Sequence, residues 1–184
     1  LAARGLRVTG LDLSHELLVL AGYHARRRGL AVNWVEGDIA HTPLRGPFDA
    51  VAQFCGNLLT WFPDPDSARD ALRGVAGLLR PGGRLLFGSE EHWDEWRGGA
   101  AIYRQRFDAR RRIAHHQTVV FGPAHSRQEY RQDVWWPTLP EMEQFFAEAG
   151  LEVVGRFNGC TGAPYDPNTP GLVHVLAREG TSAR

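Results

Sequence analysis

An α/β fold on a mostly parallel sheet is what this 184-residue sequence predicts. The first observation is that short apolar runs alternate with helix-like stretches along the chain. The second is that two of those runs, residues 6–14 and 31–39, each carry an aspartate at the end, Asp12 and Asp38. Between them a helix-like stretch from His15 to Arg28 closes at Gly29. The order strand, acid, helix, strand, acid puts both carboxylates at the carboxyl ends of neighbouring parallel strands. Open α/β sheets bind their ligands at that edge, and an acid there suits the hydroxyls of a ribose. A nucleoside-containing ligand is the first expectation.

The elements follow in order. Leu1 to Arg4 reads as the last turn of a helix capped by Gly5, so the chain is expected to open inside a βαβ unit with a segment missing upstream. After Asp38, residues 41–47 are loop by their prolines and glycine. Phe48 to Phe54 reads as a buried strand ending in Cys55-Gly56-Asn57, and Leu58 to Phe62 stays apolar until Pro63 and Pro65. Asp66 or Ser67 can cap a helix from Ala68 to Leu79, with Leu72, Val75, Ala76 and Leu79 on one face. Arg80-Pro81-Gly82-Gly83 stops it and turns into a strand over 84–88. This alternation predicts a sheet covered on both faces.

From there the pattern becomes antiparallel. Three extended runs, Ala101 to Phe107, Ile113 to Phe121 and Glu129 to Trp136, are separated by turns, so residues 101–136 read as a three-stranded insertion within one domain. Pro140 to Ala149 is a helix with Met142, Phe145 and Phe146 as its stripe, and Gly150 closes it. Leu151 to Phe157 and Leu172 to Ala177 are strands joined by a Gly/Pro-rich loop, which predicts an antiparallel terminal pair.

Composition bounds the function. Apolar residues make up 43% and charged ones 23%, ordinary values for a globular chain, and the net charge is zero. No global field therefore draws in nucleic acid or an anionic membrane. All 21 basic residues are arginine, which excludes a lysine nucleophile or Schiff base. The two cysteines, Cys55 and Cys160, form no CxxC pair, so neither a disulfide framework nor a zinc site is indicated. No apolar run reaches the roughly 20 residues of a membrane span and no signal peptide opens the chain, so a cytoplasmic protein is expected.

Five motifs in sequence carry a family resemblance: Thr9-Gly-Leu-Asp-Leu-Ser14, Val35-Glu-Gly-Asp-Ile39, Phe48-Asp-Ala-Val51, Leu78-Leu-Arg-Pro-Gly-Gly83 and Ala149-Gly-Leu-Glu-Val-Val154. In this order and spacing they resemble the class I S-adenosylmethionine-dependent methyltransferases, of the small-molecule type with a β-insertion before the last helix. The loop from Asn158 to Pro170 is similar to the one before their last strand. The resemblance implies a Rossmann-like sheet of order 3-2-1-4-5-7-6 and S-adenosylmethionine as cofactor. It implies Asp12 on the ribose hydroxyls, Leu13 on an adenine face, and Asp38 with the backbone of Ile39 on the adenine edge. Gln53, Phe54 and Asn57 would lie beside the methionine part of the cofactor. Other roles remain open for these residues: Asp12 competes with Ser14 as a helix cap, Asp38 serves equally as a turn residue, and residues 53–57 can be a plain strand end.

One departure stands out. The family's Gly-rich loop after its first strand is absent, and the missing strand is the central one. The expectation is an N-terminally truncated domain over residues 1–184 whose two sheet halves face each other with unpaired edges, a configuration proteins avoid. Such a chain should bind S-adenosylmethionine poorly or not at all.

Methyl transfer from a sulfonium is an in-line displacement, so the protein mainly aligns groups and excludes water. A base is needed only for an acceptor that is protonated at working pH. His92, in the run Glu90-Glu91-His92-Trp93 after the strand over 84–88, is the candidate base or acceptor-positioning residue; the alternative is a surface histidine. Trp93, Tyr103 and Tyr165 are candidates for the acceptor pocket, alongside Trp96, Phe107, Tyr130, Trp135 and Trp136, which equally suit packing of the insertion. His115 and His116, adjacent in a strand, should face opposite sides and make no metal pair. Arg110-Arg111-Arg112 reads as a solvated turn. The expected partner is a small-molecule methyl acceptor, with no nucleic acid and no membrane; a homodimer is compatible. The rival readings are an RNA or protein methyltransferase, favoured by a basic surface across the insertion, and a non-catalytic binding module.

Overall fold

The computed structural model describes residues 1–53, 56–62, 64–89, 95–98, 101–123, 126–159, 161–166 and 172–178. The first residues, Ala2–Arg4, form a 3₁₀ turn that Gly5 closes at φ 81°, a left-handed conformation suited to glycine. Strand β1 (Thr9–Asp12), helix α1 (His15–Arg27) and strand β2 (Asn33–Glu36) then form the βαβ unit. The two strands are parallel, with Thr9 opposite Asn33 and Asp12 opposite Glu36. Ser14, not Asp12, caps α1 by accepting the Leu17 N–H at 3.2 Å. Glu16 in the first turn and Arg26 and Arg27 in the last complement the helix dipole.

A 3₁₀ turn, Ile39–His41, leads through the loop into β3 (Phe48–Gln53). A second 3₁₀ turn, Leu58–Trp61, precedes α2 (Pro65–Gly77). This helix begins three residues earlier than the sequence suggests. Asp64, rather than Asp66 or Ser67, is its cap, accepting the Asp66 and Ser67 N–H groups at 3.0 and 2.9 Å, and Pro65 occupies the first turn where its missing N–H costs nothing. Strand β4 (Leu79–Ser89) starts in the Arg-Pro-Gly-Gly segment itself, and the irregular ladder there absorbs the turn.

The insertion is a separate antiparallel sheet of β5 (Glu95–Gly98), β6 (Ala101–Asp108), β7 (Ile113–Phe121) and β8 (Arg127–Trp135), paired in that order. The three expected strands are β6, β7 and β8; β5 adds a fourth that the sequence pattern did not reveal. Helix α3 (Leu139–Glu148) follows, started by a capping box between Thr138 and Glu141. Strands β9 (Leu151–Asn158), β10 (Ala163–Pro164) and β11 (Leu172–Arg178) complete the chain.

The main sheet has the order β10-β9-β11-β4-β3. Strands β3 and β4 are parallel, and β11 runs antiparallel between β4 and β9, as the strand-loop-strand ending predicts. The pair β1-β2 forms its own two-stranded sheet, so β1 and β3 each hydrogen-bond to a single neighbour. Measured against the order 3-2-1-4-5-7-6, the strands present supply 3-2 and 4-5-7-6.

Helices α2 and α3 share one core with the main sheet. Leu72 and Val75 from α2, Phe145 and Phe146 from α3, and Leu85, Phe87 and Leu176 from the sheet are all buried in it. The rings of Phe87 and Phe146 meet edge to face at 5.2 Å, the arrangement their quadrupoles favour. Cover on both faces is not what the described helices provide: Ala50 and Ala52 on β3 and Val154 on β9 remain exposed. On α1, Gly22 and Ala25 are buried, while Leu17, Leu20 and Tyr23 lie about half exposed.

One buried group stands apart. His174 on β11 is fully buried between Phe87 and Phe146, and neither ring nitrogen has a hydrogen-bond partner. Burial holds its imidazole well below the usual 6.5, at about 4; the charge of Arg156 on β9 adds to this and Glu143 on α3 opposes it. The unfolded chain therefore takes up a proton near pH 6.5 that the native protein refuses until about pH 4. Stability should be intact above pH 6.5 and fall between there and about pH 4, by roughly 3 kcal/mol from this group. Urea unfolding of the parent and of His174→Leu at pH 7 and pH 4.5 checks this, with the variant losing distinctly less than the parent.

Candidate functional site

The carboxyl ends of the parallel strands assemble the site. Asp12 closes β1, and Asp38 lies two residues past β2. From β2 the chain runs to Gly46, which packs on the Leu78 carbonyl at the far end of α2, and Phe48 donates its N–H to that carbonyl at 2.8 Å. Strand β3 thus starts at the far end of α2 and runs back to the near one. Strand β9 is antiparallel to β11, which is antiparallel to β4, so the ends of β3, β4 and β9 share one edge.

Each aspartate is oriented by one backbone donor. The Ser14 N–H donates to Asp12 Oδ1 at 2.8 Å, and the Ala40 N–H donates to Asp38 Oδ1 at 2.8 Å. Asp38 thereby caps the Ile39–His41 turn, so the turn role and a ligand role coexist in one side chain. No described residue hydrogen-bonds to Oδ2 of either carboxylate. Leu13 is 70% exposed beside Asp12, whereas Ile39 packs its side chain toward the α2 core. Glu36, opposite Asp12 in the ladder, pairs with His15 at 2.8 Å.

The end of β3 turns inward. Gln53 donates from Nε2 to the Gly56 carbonyl at 2.8 Å, and Gly56 sits at φ 75°. Asn57 is 1% exposed: its Oδ1 accepts the Leu59 N–H at 3.1 Å and its Nδ2 donates to Met142 Sδ at 3.4 Å. That amide is engaged with the 3₁₀ turn and α3 rather than turned toward open space. Phe54, His92 and Trp93 lie outside the described residues.

At the end of β9, Asn158 holds the next loop down, accepting the Asp166 N–H at 2.5 Å, while the Tyr165 N–H donates to the Arg156 carbonyl at 3.2 Å. Tyr165, half-buried, is therefore fixed at the same edge. The four-stranded sheet hangs from this edge too: its entry follows the end of β4 and its exit is the start of α3. Arg112, in the β6–β7 turn, bonds Glu141 in the first turn of α3 and lies over the Trp135 ring at 5.7 Å. This partner and the Thr138 N–H hold the Glu141 carboxyl well below its usual range, at about 2.

Tyr103 is half-buried on β6, and its hydroxyl is hydrogen-bonded to His116 Nδ1 on β7. His115 points the other way, to Asp133 at 2.7 Å, so the two histidines do face opposite sides. Sequence reasoning passed over His116 as a site residue. The signal for it lies in the register that puts it beside Tyr103, and register is set by pairing.

This architecture defines the class: a Rossmann-like methyltransferase fold with an antiparallel sheet inserted before the last helix. Comparison with known proteins agrees. Residues 1–87 match the family described as methyltransferase domain. The chain aligns over 97% of its length with the CcbJ methyltransferase of Streptomyces caelestis, covering 77% of that chain at a TM-score of 0.79 and 18% identity. It covers 76% of an S-adenosylmethionine-dependent methyltransferase from Clostridium acetobutylicum at a TM-score of 0.75 and 15% identity, over 95% of its own length. In sequence it is 40% identical over 90 residues to a ubiquinone biosynthesis O-methyltransferase of Xylella fastidiosa (strain 9a5c), 47% of this chain and 34% of that protein. The match spans about a third of the length of such curated relatives. The chain thus carries a methyltransferase domain over its first 87 residues and the class I S-adenosylmethionine-dependent methyltransferase fold as a whole. Among the described residues no helix is long and apolar enough to cross a membrane.

Asn57 joins the site edge to α3, so its loss should be felt in stability. Asn57→Ala leaves the Leu59 N–H and the start of the turn without a partner and should lower unfolding free energy by about 1–2 kcal/mol. Chemical denaturation beside the exposed control Asp66→Ala, expected within ~0.5 kcal/mol of the parent, measures the difference.

Proposed function

We propose that this chain binds S-adenosylmethionine through Asp12 and Asp38 and serves methyl transfer to a small-molecule acceptor. The observation that carries this reading is the matched pair of strand-end carboxylates, each oriented by one backbone N–H through Oδ1 with Oδ2 left to accept. Asp12 Oδ2 suits a ribose hydroxyl, and Asp38 Oδ2 suits the adenine amino group, with the Ile39 backbone N–H directed to the ring and Leu13 laid against its face. A carboxylate oriented in advance loses little freedom on binding, which is where its affinity comes from.

The cofactor, when bound, supplies an electrophilic methyl on a sulfonium. The chain's own residues have the remaining tasks. Gln53, Phe54 and Asn57 shape the end of β3 beside the methionine part, Asn57 through its backbone because its amide is engaged. Tyr165 and Tyr103, with Trp93, flank the acceptor and exclude water, and His92 acts as base or positions the acceptor. A small molecule is the fitting acceptor, because the basic residues of the four-stranded sheet are interleaved with acids: Glu129 takes both Arg127 and Arg131, and Asp133 takes His115. Cytoplasmic location and action without nucleic acid belong to the same reading.

Isothermal titration with S-adenosylhomocysteine tests it. A weak but saturable complex is expected, weakened a further ~10-fold or more in Asp12→Ala, as loss of a hydrogen bond to a charged acceptor requires. Parent and variant with identical binding, or a folded parent that takes up no ligand, overturn the reading.

A further inference from the structure

The two faces of the four-stranded sheet differ sharply in charge. Pairing register assigns each residue of β6, β7 and β8 to one face or the other. One face carries the cross-strand rows Arg104–Gln117–Arg131 and Arg106–His115–Asp133, laced by contacts from Glu129 to Gln117, Arg127 and Arg131 at 2.7–2.8 Å. The other carries Tyr103–Thr118–Tyr130 and Gln105–His116–Gln132. On that face β6, β7 and β8 contribute no carboxylate and no guanidinium.

Its side chains are nevertheless polar. The Tyr103 hydroxyl bonds His116 Nδ1, and their rings meet edge to face at 5.4 Å. The Tyr130 hydroxyl donates to Gln128 Oε1 at 2.7 Å on the same face. Tyr103, Gln105, His116 and Thr118 are half-buried, while Tyr130 and Gln132 stand exposed at the outer strand. Aromatic rings, carboxamides and hydroxyls without formal charge suit one ligand chemistry above others. A neutral ring bearing several hydroxyls can lay its C–H face on the aromatics and exchange hydrogen bonds with the amides. An apolar ring would leave buried amides unpaired, at about 1–3 kcal/mol each, and an anion would find no cation.

The sheet is joined to the body only at the ligand edge, after β4 and before α3. We propose that its uncharged face is the platform on which the methyl acceptor rests, and that the acceptor is a neutral, hydroxyl-rich ring of the glycoside type. This rests on the methyltransferase reading above and deepens it by naming the acceptor's chemistry.

Saturation-transfer NMR on the full chain, with methyl α-D-glucopyranoside, catechol and glucuronate offered separately at millimolar concentration, tests the proposal. The glucopyranoside should receive transfer, reduced at least ~5-fold in Tyr130→Ala and in Gln132→Ala, exposed positions whose loss should leave the fold intact. Arg131→Ala, on the charged face, should match the parent. Preference for catechol or glucuronate, transfer equal in all variants, or none at all overturns the proposal. So does self-association by sedimentation that the same two substitutions abolish, since the face would then join copies of the chain. S-adenosylhomocysteine titration of each protein separates the two readings: cofactor bound without glucopyranoside refutes the platform alone, and glucopyranoside bound without cofactor refutes the methyltransferase reading alone.

Discussion

The layer of apolar contact between strands β4 and β11 and helices α2 and α3 is the constraint on which the rest depends. Strand β4 pairs with β3 on one side and β11 on the other, and Leu85 and Phe87 on it are wholly buried. Burying side chains of that size contributes about 1.5–3 kcal/mol each, more than any hydrogen bond at the site. The layer fixes the direction of β3, β4 and β9, and with it the edge where their loops collect. His174 sits inside this layer, and its unpaired imidazole makes the most protected part of the molecule the part most sensitive to acid.

The inserted sheet is held by a different kind of contact. Arg112, Glu141, Thr138 and Trp135 form a polar and aromatic junction at the start of α3, in which one carboxylate caps a helix and receives a guanidinium. That carboxylate's lowered pKa reflects its partners, and because the group is partly exposed the junction contributes modestly to stability. Its value is positional: it holds the base of a sheet whose far faces are free to serve binding. Trp135 against Phe145 extends the apolar core just far enough to seat it.

The βαβ unit shows the opposite balance. Strands β1 and β2 pair only with each other, and α1 leaves Leu17, Leu20 and Tyr23 about half exposed. Its link to the body is the Ile39–His41 turn, with Ile39 against the α2 core. Both aspartates proposed for the cofactor belong to this unit, so the adenosine side of the site rests on the part of the fold with the fewest buried contacts. Local stability of that kind is where opening motions concentrate.

The sequence by itself determined the elements and the aspartates. Alternation, caps and terminal glycines are local signals, and α1, α3, β9 and β11 fall within a residue or two of where those signals put them. Strand-end carboxylates follow from the same local pattern, which is why Asp12 and Asp38 were legible. Tertiary structure decided the partners. Asp64 took the α2 cap because it precedes Pro65, a choice that local alternatives had obscured. Asn57 turned its amide to Met142, 85 residues away, and His174 lost all access to solvent, and neither contact is written in any short window. The charge segregation of the inserted sheet has the same origin. Period-two alternation says that neighbours face opposite ways, but only the register of β6, β7 and β8 says which residues share a face.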